Sequence, residues 1–561
     1  MSETAATRYL SALAEHGVDS IFVNAGTDFA PIVEAYAANT KDGGPDLPKP
    51  ILCAHENVAG GMAHGAALVT GKPQAVMLHV NVGTANVSCA VANAARDRIP
   101  LLVTAGRSPI LESGAVGARD LPIHWSQEMF DQASLVREFV KWDYELRDPR
   151  QAEIVVDRAL SVATAHPQGP VYLSLPREVL AASANENIGK HARTPVPSAV
   201  YPDPHAIAEL ADRIAAAEFP VIVATASGIE PESVAVLTAC AEQFAIGVAD
   251  PWHRFLNIAA NHSHRLGPDT LKVLQSADVI VFLEADVPWM DAHGSPRPET
   301  FIAQVGVDPL YSDYPIRSHH SDLNIAATPT AFLTQLSAAL AERAGRIDGT
   351  RAERIRTAAR THHDAIAAIR VQETADSDEP ITKNAISAVL GELLGEDDIV
   401  FNEYIATPCL LNRTKPGTYY FLPASGGLGW GLPAALGAQY AAPGRTVVAT
   451  LGDGAYMFAN PAACHHAAAK HKLPVLTIIA NNTNWWAVDL ATQLVYPDGR
   501  ANAEDRFSNL APSPDFAAYC TASGGHGVTV HQRGELKAAL VEALRVVREE
   551  GRQALVDVRC V

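Results

Sequence analysis

Residues Thr446–Asn482 read TVVATLGDGAYMFANPAACHHAAAKHKLPVLTIIANN. Two apolar runs of strand length, TVVATL and PVLTIIA, flank the loop GDG and the helical segment NPAACHHAAAKHK, giving the order strand, loop, helix, strand. A right-handed crossover of this kind brings its two parallel strands close together in one sheet. Asp453 and the pair Asn481 and Asn482 then leave the same carboxyl edge, where open α/β sheets bind their ligands. A carboxylate and an amide oxygen are hard ligands suited to Mg²⁺, which takes a few protein oxygens beside a substrate's phosphates. Gly452 and Gly454 let the backbone approach a phosphate closely. The stretch describes an Mg²⁺-diphosphate site; taken singly, Gly-Asp-Gly is also an ordinary turn and Asn-Asn an ordinary strand terminator.

The same rhythm runs through the rest of the chain. Between Val18 and Pro176 the apolar runs SIFVNAG, PILCAHE, QAVMLHVN, PLLVTAG and GPVYLSLP alternate with Ala-rich helical stretches. Near-continuous apolar strands separated by helices predict parallel sheets covered on both faces. After a connector at Ala181–Pro204 come FPVIVATAS, AIGVAD, ADVIVFLEA and IAQVGVD; after a charged helical stretch, Ala341–Gln372, and the turn-rich ETADSDEPITK come DIVFNEY, TVVATL, PVLTIIA and QALVDVRC. The expected architecture is α/β, three doubly wound parallel-sheet domains in series, at residues 1–185, 200–340 and 380–561.

Composition narrows the function. The 561 residues carry 43 Lys plus Arg against 62 Asp plus Glu, a formal charge of -19, which is the wrong sign for a binder of nucleic-acid backbones. With 48% hydrophobic and 19% charged residues the chain has globular composition. Seven widely spaced cysteines without a CxxC pair point to neither a zinc ribbon nor a disulfide framework. The opening MSETAATRYLSALAEHG has Glu3, Arg8 and Glu15 where a signal peptide needs an apolar run, so it reads as an amphipathic helix and the expected location is cytoplasmic. Pro416–Gly444 is the longest uncharged stretch but is broken by Gly and Pro, which suits a loop entering a helix rather than a membrane span.

Two further segments join the first. PILCAHE delivers Glu56 to the start of NVAGGMAHGAALVTG, and SGGLGWGLPAALG spans Ser425–Gly437 just ahead of GDG. On residue type alone, Glu56 complements a helix N-terminus and the Gly-rich segment is a strand-to-helix turn. Together with GDG, 26 residues and NN, these segments resemble the motifs of thiamine diphosphate (ThDP) enzymes of the benzoylformate decarboxylase and acetolactate synthase-like family. The resemblance covers essentially the whole chain and implies a pyrimidine-binding, a middle and a diphosphate-binding domain, in that order. It implies ThDP and Mg²⁺ as cofactors, with Asp453, Asn482 and the main-chain carbonyl of Asn484 on the metal and Gly452, Gly454 and Ala455 along the diphosphate. It places Glu56 on N1′ of the aminopyrimidine, Leu428 under the bent cofactor and the Gly426 carbonyl on the 4′-amino group. It further implies a site shared between two subunits of a homodimer or homotetramer, so that Glu56 and Asp453 meet across an interface.

The implied activity is a lyase reaction, non-oxidative decarboxylation of a 2-oxo acid with possible carboligation to an aldehyde. The alternative is an acetolactate synthase-type transferase condensing two 2-oxo acids. MLHVNVGTANVSCAVANA is similar to benzoylformate decarboxylase, whose matching histidine shuttles protons, here His79; Thr27 in NAGTDFAP matches a residue that orients the substrate carboxylate. By residue type, His79 is equally a strand-end histidine bonded to backbone, and Thr27 or Asp28 equally a helix N-cap. His293 in VPWMDAHGSPRP matches the decarboxylase's second histidine only loosely, and Trp485 and Trp486 line a pocket or simply pack. His465-His466 and His319-His320 point to different faces and read as core or surface histidines. No FAD motif or basic CoA cluster marks the middle domain.

Overall fold

The computed structural model describes residues 3–42, 46–184, 193–375, 378–503 and 507–561. The chain divides into two compact units, Met1–Pro197 with Leu422–Val561, and Ser198–Phe421. Among the described residues all eighteen strands pair in parallel, as continuous apolar runs separated by helices require.

In the first unit the strands are β1 Ser20–Val23, β2 Lys49–Leu52, β3 Gln74–Leu78, β4 Leu101–Arg107, β5 Asp143–Glu145 and β6 Val171–Pro176, in the order β2-β1-β3-β4-β6-β5. The second unit holds β7 Pro220–Ala224, β8 Gly247–Ala249, β9 Arg265–Gly267, β10 Val279–Leu283, β11 Phe301–Gly306 and β12 Leu323–Ala326, in the order β12-β11-β10-β7-β8-β9. It also holds the parallel pair β13 Ile399–Glu403 and β14 Tyr419–Phe421. The first unit also holds the parallel strands β15 Val447–Gly452, β16 Val475–Asn481, β17 His526–Val530 and β18 Ala554–Arg559, with β15 on β16, β16 on β18 and β18 on β17.

The centre of the first unit is a helix, Glu56–Thr70, whose residues from Val58 to Ala67 are all buried. Its glycines set how closely its neighbours come. A Cβ on Gly60 would lie 2.8 Å from the Ala90 Cβ of the Val80–Arg96 helix. On the opposite side a Cβ on Gly65 would lie 1.8 Å from the Ala434 carbonyl oxygen of the Gly431–Ala441 helix, and one on Gly437 would lie 1.9 Å from the Met62 carbonyl. Backbone therefore touches backbone at this crossing. His64 lies in the same layer, fully buried and edge-on to Trp430 at 5.7 Å, and burial pushes its pKa down to about 3, so it is neutral.

Two local expectations shift. The charged helix expected from Ala341 begins at Arg351, because the intervening Gly345, Asp348 and Gly349 form turns, with the Asp348 carboxylate accepting from the Thr350 N–H at 2.9 Å. GDG is not a loop: Asp453 is the first residue of a short helix, Asp453–Phe458. The Ala181–Pro204 connector lies partly outside the described residues, as do parts of ETADSDEPITK. Among the described residues no helix is long and apolar enough to cross a membrane.

Gly65→Ala is expected to cost about 3 kcal/mol, the upper end of the overpacking range, because the obstructing atom is backbone. Gly534→Ala, with open space around its Cβ, is the control and stays neutral. Urea unfolding followed by circular dichroism compares them; equal midpoints would refute the backbone-contact reading of the crossing.

Candidate functional site

Three neighbouring strands of the first sheet end together. β1 is flanked by β2 and β3, and the segments that follow their carboxyl ends carry Thr27, Glu56 and His79 respectively. Glu56 is buried at the start of its helix, where its carboxylate accepts from the Asn86 side-chain amide at 3.1 Å and lies 3.8 Å from His55. Gly83 packs close enough that a Cβ there would stand 3.5 Å from Glu56 Oε1.

His79 is half-buried, and its Nδ1 lies 2.5 Å from Asp28 Oδ1. That hydrogen bond, opposed by burial and assisted by the charges of Asp28 and Glu56, raises the His79 pKa above the ordinary histidine value. Nε2 faces the Gln127 amide at 3.4 Å. The next residue, Val80, has φ +32, an outlier for a β-branched residue, where the chain turns from β3 directly into a helix. Neither Thr27 nor Asp28 caps the turn Thr27–Phe29; Gly26 occupies the cap without a side-chain bond, Thr27 is exposed and Asp28 is buried.

The second cluster follows β15 and β16, whose register pairs Gly452 with Ala480 and so sets Asp453 beside Asn481 at the strand ends. Asp453 Oδ1 accepts from the Gly454 N–H at 2.8 Å, whereas Oδ2 is buried with no hydrogen-bond partner. Burial raises the Asp453 pKa, against the lowering pull of the Gly454, Thr483 and Asn484 N–H groups. Asn481 is committed elsewhere, its amide donating to Asp557 Oδ1 at 2.9 Å and to Ser513 at 3.0 Å. Asn482 Oδ1 accepts from the Asn484 N–H at 3.1 Å, and the Asn484 side chain donates to Asp489. Thr483, between them, has φ +55. A buried carboxylate oxygen lacking a partner, beside an amide oxygen in a tight loop, is a donor set that fits a hard divalent cation.

The loop carrying Gly426 and Leu428 is tied to the Val80–Arg96 helix. Asn93 of the Val80–Arg96 helix donates to the Gly427 carbonyl at 2.9 Å, and its Oδ1 accepts from the Gly427 N–H at 3.1 Å and from Ser425. Gly426 has φ +66, and Leu428 is half-buried. Ala455 is buried, Gly452 half-buried, and Gly454 carries the Trp485 ring so closely that a Cβ would fall 2.2 Å from it. Trp485 thus packs, edge-on to Phe458 at 5.7 Å, while Trp486 is exposed. His465 is a core histidine, bonded at 2.7 Å to both Tyr456 and Gln553; His466 and His320 are exposed, and His319 is bonded to the Trp289 carbonyl. His293 is exposed in the second unit.

Asn86 and Asn93 escaped sequence reading, although the signal was present. They stand seven residues apart, on one face of the Val80–Arg96 helix. By residue type Asp28 is one of two candidate caps, and nothing in its sequence neighbourhood points to His79, 51 residues away.

Comparison with known proteins agrees with this geometry. Residues 3–135 match the model of the thiamine pyrophosphate enzyme N-terminal TPP binding domain, and residues 404–558 that of the C-terminal TPP binding domain. Among curated relatives, a benzoylformate decarboxylase of Pseudomonas aeruginosa is 29% identical over 96% of both chains. A probable acetolactate synthase of Mycobacterium bovis is 25% identical over 95% of this chain and 92% of its own. The crystal structure of benzoylformate decarboxylase from Polynucleobacter necessarius, 21% identical, superposes with a TM-score of 0.81 over 100% of this chain and 99% of its own, which establishes a common fold. Two TPP-binding domains at the two ends of one chain, on parallel sheets whose carboxyl edges gather these residues, place the protein in the family of thiamine diphosphate-dependent enzymes.

Proposed function

We propose that the protein is a ThDP- and Mg²⁺-dependent lyase that decarboxylates a 2-oxo acid without oxidation and can join the product carbon to an aldehyde. The observation that carries this reading is the grouping of buried Glu56 with His79 beside one strand, so that two different proton-handling groups serve one sheet edge. When bound, ThDP supplies the nucleophilic carbon and the electron sink that cleavage beside a ketone needs.

The chain's own residues have separable tasks. Asp453, Asn482 and the Asn484 carbonyl would hold Mg²⁺, and Gly452, Gly454 and Ala455 would line the diphosphate. Glu56 would accept the hydrogen bond of the aminopyrimidine N1′, stabilising its protonated form; Asn86 keeps that carboxylate in place. The Gly426 carbonyl would take the 4′-amino group and Leu428 would support the ring, in a loop whose position Asn93 fixes. Thr27 would receive the substrate carboxylate, and His79 would carry a proton to or from the reacting carbon.

A homodimer or homotetramer completes the reading, with Glu56 of one subunit facing Asp453 of another. Support comes from the helix Trp486–Val495, which follows the metal loop and has no buried residue. Its Leu494 and Val495 are 71% and 65% exposed, large apolar side chains that one chain leaves uncovered. The three-domain division at 1–185, 200–340 and 380–561 belongs to the same proposal. The second reading, condensation of two 2-oxo acids, is favoured by the acetolactate synthase relative.

Product analysis decides between them. The purified protein with ThDP, Mg²⁺, pyruvate and benzoylformate is expected to release CO₂ with an aldehyde; acetolactate would move it to the transferase branch. Asp453→Ala is expected to weaken ThDP binding in Mg²⁺ on the order of 100-fold, read by titration calorimetry, and unchanged affinity would remove Asp453 from the metal site. Glu56→Gln is expected to bind ThDP yet lose turnover by roughly 10²- to 10⁴-fold. Full turnover in that variant would overturn the proposed role of Glu56.

A further inference from the structure

We propose that Asp28 is a positioning residue for His79, fixing the imidazole with its proton on Nδ1 so that Nε2 alone exchanges protons with the substrate. This deepens the lyase reading and rests on His79 being the proton carrier.

The geometry is built for the pair. Asp28 is 3% exposed, and an ionised carboxylate only accepts hydrogen bonds, so its oxygen 2.5 Å from His79 Nδ1 demands a proton on that nitrogen. Its other oxygen faces the Val80 N–H at 3.4 Å, at the strained turn where the His79 backbone leaves β3. Two glycines make the room. A Cβ on Gly26 would fall 2.1 Å from His79 Nδ1, and a Cβ on Gly106, in β4, would fall 1.6 Å from Asp28 Oδ2. A larger residue at either position would break the contact, so three strands are shaped around one hydrogen bond.

With Nδ1 occupied, Nε2 is the working atom. Gln127 stands 3.4 Å from it, and an amide serves both states: its N–H donates to the neutral ring, and after a flip its oxygen accepts from the imidazolium. In the protonating direction the Nε2–H bond breaks, a C–H bond forms at the substrate carbon, and the ring is left neutral with Nδ1–H still bound to Asp28. A solvent proton then restores it. The ionisable groups facing His79 are Asp28, Glu56 from its helix, and His124 from the Ile123–Ser126 helix, whose pKa burial lowers. Both anions favour the imidazolium. His79 therefore stays protonated to a higher pH than a free histidine and loses its charge as the pH rises through the raised value.

The test is histidine-labelled ¹³C and ¹⁵N NMR of the ThDP- and Mg²⁺-loaded protein, with the His79 signals assigned from His79→Gln. In the unaltered protein Nδ1 is expected to stay protonated across the titration while Nε2 titrates; a neutral ring with its proton on Nε2 would overturn the proposal without any variant. In Asp28→Asn the His79 midpoint is expected to fall by about one pH unit or more, with mixed tautomers, while Asp28→Glu retains most of the shift. An unchanged midpoint and tautomer in Asp28→Asn would also overturn it. With a 2-oxo acid that is turned over, the basic limb of kcat/KM is expected to move down in pH together with the NMR midpoint. If no 2-oxo acid is turned over, the lyase reading fails, and the ring titration still decides the Asp28–His79 pairing.

Discussion

The contact on which the rest of the first unit depends is the crossing of Glu56–Thr70 with Gly431–Ala441, backbone against backbone through Gly65 and Gly437. One of these helices begins with Glu56, and the other begins immediately after the loop of Gly426 and Leu428. Residues more than 360 positions apart are thereby held at a spacing that side chains cannot adjust. Close packing transmits small volume changes, so a methyl group at this crossing would be felt in both segments. The same helix uses Gly60 against the Val80–Arg96 helix, whose Asn86 and Asn93 then reach Glu56 and Gly427. Glycine placement and amide placement are thus one device: the first brings the helices together, and the second fixes the polar groups at their ends.

That arrangement explains which parts of the fold were legible in the sequence. Most strands recognised from apolar runs, such as PVLTIIA and QAVML, lie inside their sheets, buried on both faces; β2, from PILCAHE, is the edge strand that its apolar run still marked. Those that were missed, among them DYE at Asp143–Glu145 and HGVTV at His526–Val530, are outermost strands, short and half-exposed, so that no continuous apolar run marks them. GDG was read as a loop because glycine and aspartate favour turns; the helix instead begins at Asp453 itself, with Ala455 and Tyr456 buried behind it. Local propensity gave way to the packing of Tyr456 against Phe516 and its hydrogen bond to His465.

The site was legible to the extent that its chemistry follows the chain. Asp453 and Asn482 are separated by one crossover, and Glu56 sits in a contiguous signature. What was not legible is what crosses between segments: the Asn93 clasp, the Asn86 bond to Glu56 and the burial of Asp28 against His79. The seven-residue spacing of Asn86 and Asn93 marks a shared helix face but not their partners, because each of these bonds joins residues 30 or more positions apart, and only the sheet order brings β1 beside β3.

The two asparagines after β16 show how neighbouring residues of one type divide their work. Asn481 is buried, and both hydrogens of its amide are spent on Asp557 and Ser513, so its side chain holds the strand end to β18. Asp557, wholly buried, needs that donor as well as Arg559 at 3.0 Å, since an unpaired carboxylate there would be costly. Asn482 lies one residue further on, half-buried, with its carbonyl oxygen turned into the loop rather than into the sheet. An oxygen so placed keeps a lone pair beyond the one that accepts the Asn484 N–H. Sequence spacing leaves either asparagine able to face a cation, and the oxygen of each accepts one N–H of the loop, from Thr483 for Asn481 and from Asn484 for Asn482; what sets Asn481 apart as the anchor is its burial and the tie of its amide to β18.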